Sequence, residues 1–340
     1  MSTCNCIITS HSLEITPSGI EIARIKEFEG AERRIFMSAT LSDDSVFISS
    51  IGLHESDIQN IITPDNANDL GDRLILFPKH LNSKIRDEDI RDKVISISDK
   101  YNAIVIVPSR ERARFWDETG QHTVTKENIE KSVSALKDHH VGLAVFVNRY
   151  DGIDLPDDAC RMLVIDGLPP LRCEYDKYIQ SVDISSSILL REYIQRIEQG
   201  MGRGVRANSD SCCIVLMGDN LADVLIRNKG IHYFSNATLE QYKLSKELWD
   251  LLKQENSNPS IDDIFELAEY SLNRELEWIQ KSKERLSIVN YQSQPQFDQT
   301  SIALRETFEL SCLRQWKKAA NKIDVTFNSE ISDSTKGYLL

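Results

Sequence analysis

Several widespread signatures are missing from this chain of 340 residues. No run of about 18 apolar residues occurs, so no membrane-spanning helix is predicted. No glycine is followed by lysine, which excludes the G-x-x-x-x-G-K-[ST] loop that surrounds nucleotide phosphates. A strand followed by G-x-G-x-x-G and a nucleophile elbow are also missing, which argues against a doubly wound enzyme that acts on a small molecule.

Cysteine is sparse, and the seven cysteines follow no disulfide pattern. Cys4 and Cys6 have no partners nearby that would complete a zinc or iron–sulfur site. Cys212 and Cys213 lie in an apolar run, where a reduced thiol acts as a small hydrophobe. We therefore predict no metal site. The N-terminus lacks the basic start and apolar core of a secretion signal, so a cytoplasmic protein is expected.

The chain has no excess of positive charge, since its formal net charge is −13. This charge argues against a uniformly basic nucleic-acid binder. A local basic patch stays open, because binding depends on the charge of the patch and not on the total charge. Scattered surface charge is the alternative for every candidate. The candidates for such a patch are Arg110, Arg112, Arg114, Arg191 and Arg196.

Apolar, β-branched runs alternate with helical patterns through the middle of the chain. Such alternation predicts an α/β fold, with a parallel sheet covered by helices on both faces. Helices are predicted after Ser109, over 125–138 and from about Ser186. The predicted strands are 33–41, 73–78, 103–107, 142–147, 161–166 and 212–217.

Beyond about residue 236 the pattern becomes helical, over 238–254, 261–287 and 300–321. Three tryptophans lie on these segments, namely Trp249, Trp278 and Trp316. We predict that they are core anchors, with stacking on nucleic-acid bases as the alternative.

The segment 199–206 reads Q-x-x-G-R-x-x-R and contains three glycines. Arginine stays charged and offers a planar fork of donors to phosphate oxygens, so Arg203 and Arg206 suit a polyphosphate. Each glycine lowers helix propensity by about 1 kcal/mol, which favours close approach to a ligand over a purely structural helix. The alternative is an ordinary amphipathic helix with solvated arginines.

Helical periodicity supports two different faces on this segment. The arginines would then project away from the packed face. The predicted apolar face holds Leu190, Ile194, Ile197, Met201 and Val205, and the opposite face holds Arg196, Gln199, Arg203 and Arg206.

The loop 148–156 follows the predicted strand 142–147. Ligands of open parallel sheets bind beyond the carboxyl ends of strands, so this loop is a candidate. Gly152 would permit close backbone approach, and Asp154 could accept a hydrogen bond from a ribose hydroxyl or an arginine. For Asp154 a turn or capping role is the alternative.

Four segments in this order resemble conserved motifs of superfamily 2 helicases, and the segment 151–156 has the form typical of the branch that includes repair helicases of the iron–sulfur type. Residues 38–40 read S-A-T, like motif III. Residues 104–110 lie where motif IV is expected, and 151–156 are similar to motif V. Residues 199–206 match motif VI.

The resemblance implies roles for individual residues. Arg203 and Arg206 would contact the γ-phosphate of ATP as arginine fingers, with Gln199 beside them as a third catalytic residue. The implied nucleotide contacts are Gly152, Asp154 and Gly202; the implied interdomain contacts are Ser38 and Thr40; and the implied nucleic-acid contacts are Ser109, Arg110, Asn148 and Arg149.

The resemblance also implies a RecA-like fold and an incomplete motor. No D-E-x-D or D-E-x-H box follows a strand, so both the phosphate loop and the acidic box would belong to another domain. The implied division is 1–41 as the end of a first RecA-like domain, 42–70 as a linker, 71–235 as the second RecA-like domain and 236–340 as a helical accessory region.

Two functions from different classes follow from this. The first is the C-terminal part of an ATP-dependent helicase or translocase, inactive without a partner chain or domain that holds ATP and Mg²⁺. It would act on single-stranded nucleic acid, with DNA preferred over RNA in this hypothesis. The second is a non-catalytic module derived from a helicase that binds nucleic acid or protein.

Overall fold

A computed structural model provides the structure of this chain. It describes residues 4–327 except 18, 21–24, 38–44, 59–61, 63–64, 68–69, 151, 183–186, 206, 292–296 and 298. The chain divides into two compact units. One unit contains residues 1–63, 171–189 and 292–340, and the other contains residues 64–170 and 190–291.

The strands of the described residues are β1 Cys4–Ile8, β2 Leu13–Pro17, β3 Asp72–Leu76, β4 Ala103–Val107, β5 Thr123–Val124, β6 Leu143–Val147, β7 Met162–Asp166 and β8 Ser211–Met217. The α-helices of the same residues are α1 Lys26–Glu29, α2 Ser45–Ile51, α3 Pro78–Leu81, α4 Asp87–Ser98, α5 Arg110–Trp116, α6 Ile129–Asp138, α7 Glu174–Val182, α8 Ser187–Met201, α9 Asp219–Ala222, α10 Asn236–Glu255, α11 Ile261–Leu272, α12 Leu276–Ser287, α13 Gln299–Cys312 and α14 Trp316–Phe327. None of these helices is long and apolar enough to cross a membrane.

Strands β3 to β8 form one parallel sheet in the order β3-β8-β7-β4-β6-β5. Every residue of β3, β4, β7 and β8 is buried. Successive side chains of a strand point to opposite faces, so this burial means that both faces are covered. The predicted α/β fold with a parallel sheet is confirmed. The two-residue strand β5 was missed because it is too short to give a period.

Helix α10 covers the β3 edge of this sheet. The amide of Ile75 donates to the Ser245 hydroxyl at 2.9 Å, and the Trp249 indole nitrogen donates to the Ile75 carbonyl at 3.1 Å. An edge strand exposes unpaired backbone groups, and here α10 satisfies those of Ile75. Helices α10 to α12 therefore pack as part of the sheet unit.

The two long helices predicted over 261–287 and 300–321 are each interrupted by a turn. Arg274 and Arg314 adopt φ of 56° and 59°, and their amides donate to the carbonyls of Ser271 and Ser311. These turns end α11 and α13 in the left-handed conformation, which is usually glycine. Because arginine occupies both positions, no glycine marks the break in the sequence.

The tryptophan prediction holds for two of the three residues. Trp249 and Trp278 are each 2% exposed, whereas Trp316 is 49% exposed. Trp316 is the first residue of α14, directly after the turn at Arg314. The prediction of Trp316 as a core anchor is therefore wrong, because the break in the helix moves this side chain off the packed face.

The other unit begins with an antiparallel hairpin of β1 and β2, which the sequence did not reveal. The predicted strand 33–41 is wrong over 33–37, which is irregular, and 38–41 lie outside the described residues. Ile35 and Met37 are 86% and 92% exposed. An apolar run gave the strand prediction, but no described strand pairs with residues 33–37.

The turn between α5 and β5 contains a buried carboxylate, that of Asp117, whose contribution to stability can be tested. Asp117 is 6% exposed and accepts hydrogen bonds from Thr119, Gly120, His122 and Thr123 at 2.7–3.0 Å. Burial acts to raise the pKa of the Asp117 carboxyl, but these hydrogen bonds outweigh burial and hold the pKa below its ordinary value.

We expect Asp117→Asn to lower the free energy of unfolding by about 2 kcal/mol at pH 7, because hydrogen bonds to a charged group are lost. Because the pKa of Asp117 is lower in the folded state, its carboxylate stabilises the fold at pH values above its unfolded pKa of about 4. This contribution is lost as the pH falls through the folded pKa. The gap between the variant and the wild type in urea denaturation should therefore shrink as the pH falls below about 4. A gap that stays constant with pH would contradict this role for the carboxylate.

Candidate functional site

The loop that follows β6 and the segment that ends helix α8 are about fifty residues apart in the sequence, and they meet in the structure. Helix α8 ends at Met201 and continues as a 3₁₀ turn over Gly202–Gly204. The Arg203 guanidinium donates to the Tyr150 carbonyl from Nε at 3.2 Å and from Nη2 at 3.0 Å, and its Nη1 donates to the Ile153 carbonyl. In return, the Leu155 amide donates to the Arg203 carbonyl at 3.3 Å. Arg203 thus joins the segment 199–206 to the loop 148–156.

Arg203 is only 8% exposed, so its predicted place on the open face of the helix is wrong. The predicted apolar face is confirmed, since all of its members are buried. The physical reason for the error is the change from α-helix to 3₁₀ turn after Met201, which alters the angle per residue. The buried members are Leu190, Ile194, Ile197, Met201 and Val205.

The glycines of these two segments have different roles. A Cβ on Gly204 would lie 2.9 Å from the Cys212 sulfur and 3.0 Å from the Cys160 sulfur, so Gly204 is needed for packing inside the protein. A Cβ on Gly202 would meet no atom within 4 Å. Gly152 has φ of +78°, a left-handed conformation that favours glycine. Of the three, Gly202 and Gly152 leave space for a ligand.

The loop 148–156 is fixed from the sheet side as well. Tyr150 is 1% exposed, and its hydroxyl donates to the Gly167 carbonyl at 3.2 Å. Burial raises the pKa of this hydroxyl, with a further contribution from the Asp166 carboxylate. Arg196 donates to the Pro170 carbonyl at 2.7 Å and lies 3.5 Å from the Asn148 side-chain oxygen. These hydrogen bonds therefore hold the loop 148–156 against the sheet and α8.

The four residues expected to contact nucleic acid lie together beyond the neighbouring strands β4 and β6. The register pairs Val107 with Val147, and the Asn148 amide donates to the Val107 carbonyl at 2.7 Å. The Ser109 hydroxyl accepts from the Arg112 amide at 3.1 Å and so caps α5. Ser109, Arg110 and Asn148 are exposed, and Arg149 is half-buried.

An ion-pair network that the sequence did not predict supports this edge. Asp166, the last residue of β7, is 2% exposed and accepts from Arg112 Nε and Trp116 Nε1, both at 2.7 Å. Arg112 also pairs with Asp87 at 2.8 Å, and Lys79 pairs with Asp87 at 3.1 Å. Burial raises the pKa of Asp166, although Arg112 and Trp116 oppose that shift. A single aspartate ending an apolar run was the only sequence signal.

The candidate patch arginines are therefore not equivalent. Arg112 is committed to carboxylates, Arg191 lies over the Tyr233 ring at 5.3 Å, and Arg196 contacts the loop 148–156. Arg110 and Arg114 are exposed.

The remaining predicted residues can be placed only in part. Gln199 is half-buried one turn before Arg203, and Asp154 is exposed in the loop 148–156. Arg206, Ser38 and Thr40 lie outside the described residues. Within the described part of the chain, no group of three His, Cys, Asp or Glu side chains could hold a metal ion.

A family model described as a helicase C-terminal domain matches residues 100–237. Two solved structures entitled XPD helicase and XPD apo resemble the chain, with 19% and 20% sequence identity and a TM-score of 0.43 for each. Each likeness covers 68% of this chain, and the chain spans about half of those proteins, 47% and 53% respectively. No curated protein matches the chain.

Proposed function

We propose that this chain supplies the arginine-bearing part of an ATP-dependent helicase or translocase, because residues 100–237 match a family model described as a helicase C-terminal domain. One observation supports this proposal most strongly. Arg203 in the segment 199–206 is hydrogen-bonded to Tyr150 and Ile153 in the loop 148–156. A movement of Arg203 would therefore alter the hydrogen bonds of the loop 148–156. A nucleotide-driven motor requires such a connection between its nucleotide site and the rest of the domain.

The arginine pair would stabilise negative charge on the phosphates. A guanidinium suits the oxygens of a transferred phosphoryl group, and arginine fingers contribute about 10³ to 10⁵ in rate. For Arg203 to bind phosphate, its guanidinium must exchange the carbonyls of Tyr150 and Ile153 for phosphate oxygens. That exchange would release the loop 148–156 and give a direct link between nucleotide and loop. Gln199, Gly202 and Arg206 complete the proposed nucleotide side.

The nucleic-acid side of the proposal is the edge beyond β4 and β6. Ser109, Arg110, Asn148 and Arg149 lie there together, with hydroxyl, amide and guanidinium groups that suit a sugar–phosphate backbone. The loop 148–156 contributes to this edge and is also bound to Arg203. We propose single-stranded DNA as the ligand, held through its backbone.

ATP and Mg²⁺ would be held by another domain or chain. The sequence contains no G-x-x-x-x-G-K-[ST] loop and no acidic box after a strand. A phosphate loop supplies the amides and lysine that cradle the phosphates, and an acidic residue holds Mg²⁺. In this proposal the complete site forms between a phosphate-loop protein and the segment 199–206.

A binding module without ATP chemistry is the second candidate, and one observation favours it. Arg203 is buried with its guanidinium committed to backbone carbonyls. If that arrangement is permanent, Arg203 is a structural residue that fixes the loop 148–156 for nucleic acid alone.

We expect the chain alone to bind a labelled 20-nucleotide single strand of DNA and to hydrolyse no ATP. Fluorescence anisotropy measures the first result and phosphate release the second. Adding a phosphate-loop protein, such as one encoded beside this chain, together with a non-hydrolysable ATP analogue should change the DNA affinity. If the affinity is the same with and without these additions, the binding-module function is correct. ATP hydrolysis by the isolated chain would contradict the division of the motor.

A matched pair of variants tests the proposed edge. Arg110→Ala and Lys137→Ala each remove one exposed cation, but Lys137 is at the end of α6 that leads into β6. Arg110→Ala should lower the slope of log affinity against log salt by about 0.7, the value for one phosphate contact on a single strand. Equal effects of the two substitutions would mean that general charge, and not this edge, binds DNA.

A further inference from the structure

The segment 199–206 is attached at both ends to the helices α10 to α12, which lie in the same compact unit. On the upstream side, Glu198 of α8 is 4% exposed. Its carboxylate accepts from the amide of Ser235 at 3.2 Å and also from the Ser235 hydroxyl. Ser235 is the N-cap of α10, where its hydroxyl accepts from the Thr238 amide. The residue before Gln199 is thus bound to the start of α10.

On the downstream side, the turn 207–210 is bound by two cations from the other helices. Lys283 of α12 donates to the Asn208 carbonyl at 2.7 Å and to the Leu70 carbonyl at 3.0 Å. Arg274, which ends α11 in the left-handed conformation, donates to the Ser209 carbonyl. Both long side chains therefore converge on the turn that follows Arg206.

A buried carboxylate lies beneath these two cations. Asp72 is fully buried, and its oxygens lie 3.8 Å from Lys283 Nζ and 4.0 Å from Arg274 Nη2. The Asp72 amide donates to the Asp210 carbonyl at 2.9 Å, so the same residue also holds the end of the turn. A buried charge is costly unless it is compensated. Here Asp72 balances two cations whose donors are used on carbonyls of the backbone.

The backbone of Gly71 lies very close to the backbone of the turn 207–210. A Cβ on Gly71 would lie 2.4 Å from the Asp210 carbonyl oxygen and 2.6 Å from that of Ala207. The Gln241 side chain of α10 donates to the Gly71 carbonyl at 2.9 Å. Turn, strand start and helices therefore form one continuous hydrogen-bonded contact.

We propose that α10 to α12 are a positioning frame for the arginine segment, with Glu198, Arg274 and Lys283 as positioning residues that act on Arg203 through the backbone on either side. The proposal rests on the proposed function for its ligand, a nucleotide polyphosphate. The frame does not touch that ligand. It fixes the backbone that presents the guanidinium groups, and small displacements of such groups weaken phosphate binding.

Lys283→Met is the decisive variant because it keeps the aliphatic stem and removes the charge. Titration with a fluorescent ATP analogue of the full chain in complex with the phosphate-loop protein should show affinity weaker by on the order of tenfold than the wild type in the same complex. Affinity for single-stranded DNA, measured on the same preparations, should stay within about twofold, because the edge beyond β4 and β6 is held by other contacts. A general loss of structure would lower both affinities.

Three further variants separate positioning from folding. Lys281→Met removes an exposed lysine of the same helix, paired with Glu277, and should change neither affinity. Lys283→Arg should restore nucleotide affinity to within about threefold, since a guanidinium can reach the same carbonyls. The double substitution Asp72→Asn with Lys283→Met leaves no unbalanced buried carboxylate, so it keeps the test valid if the single variant is unstable.

Hydrogen exchange decides the proposal independently of nucleotide binding. Amides of 207–211 should exchange at least about tenfold faster in Lys283→Met than in Lys281→Met, because the free energy required for local opening of the turn 207–210 is lower. If the phosphate-loop protein binds the analogue equally well with and without the wild-type chain, the proposed function fails for this chain, and the exchange rates of the isolated chain still show whether the frame holds the turn. Unchanged exchange at 207–211, or equal losses in the two lysine variants, would overturn the frame.

Discussion

Arg203→Ala is expected to lower the free energy of unfolding by about 2–4 kcal/mol, because the buried Tyr150 and Ile153 carbonyls lose their charged donor. The guanidinium makes its hydrogen bonds to these two carbonyls from an 8% exposed position. The substitution also leaves a cavity the size of the side chain, which adds to the loss. Hydrogen exchange of amides in the sheet unit, measured on the full chain at increasing urea concentration, gives the change.

Two further variants serve as controls for Arg203→Ala. Arg203→Lys keeps the charge but cannot bridge two carbonyls with a planar fork, so we expect it to recover only part of the loss. Arg110→Ala removes an exposed arginine and should change the free energy of unfolding by less than about 0.5 kcal/mol. Hydrogen exchange at 152–155 should accelerate in Arg203→Ala alone. A stable Arg203→Ala protein with unchanged exchange would mean that the guanidinium is not what holds this loop.

The same substitution separates the two proposed functions. In a complex with a phosphate-loop protein, Arg203→Ala should reduce the rate of ATP hydrolysis by about 10³, as expected for a lost arginine finger. In a binding module it should instead weaken DNA binding through the loosened loop and have no effect on any nucleotide response. Arg203→Lys distinguishes lost structure from lost charge in both cases.

Local sequence patterns predicted the sheet well because its strands are buried on both faces. The run 103–107 gave the bounds of β4, and the runs 142–147 and 161–166 were within one residue of β6 and β7. A continuous apolar run between polar turns is the expected signal of such a strand. The hairpin of β1 and β2 gave no comparable run, and its strands were missed.

The contacts of the site could not be predicted in the same way, because they join residues far apart in the sequence. The periodicity of α8 placed Arg203 on the open face of the helix, but the helix becomes a 3₁₀ turn after Met201. The guanidinium is instead buried against the carbonyls of Tyr150 and Ile153. Lys283 and Arg274 were unremarkable lysine and arginine residues of a helical region. Only the packing of α11 and α12 brings them to the turn 207–210.

The tryptophans are a second case in which a local sequence pattern did not predict the packing. Helical periodicity treated Trp249 and Trp316 alike, but the turn at Arg314 makes Trp316 the first residue of a new helix. Whether a tryptophan is a core anchor depends on where its helix begins. The two residues therefore provide a matched comparison, in which one substitution is made at a buried and at an exposed position.

Trp249→Ala is expected to lower the free energy of unfolding of the sheet unit by about 3–5 kcal/mol, the usual loss for a buried tryptophan. Its ring is 2% exposed and lies edge-on to Tyr242, with ring centroids 5.5 Å apart. The substitution also removes the donor to the Ile75 carbonyl on the β3 edge. Since α10 also anchors Glu198 through Ser235, the loss should reach the arginine segment.

Trp316→Ala is the control and should change stability by less than about 1 kcal/mol, because about half of that side chain is already in water. The two residues belong to different compact units, so one denaturation curve cannot be read as a single two-state transition. Hydrogen exchange resolves the units: Trp249→Ala should accelerate exchange in β3 and β8 and leave α13 unchanged. Trp249→Phe should recover most of the packing but not the hydrogen bond to Ile75, which separates the two contributions. If Trp249→Ala and Trp316→Ala were equally mild, α10 would not anchor the β3 edge, and the upstream half of the frame around the arginine segment would lose its support.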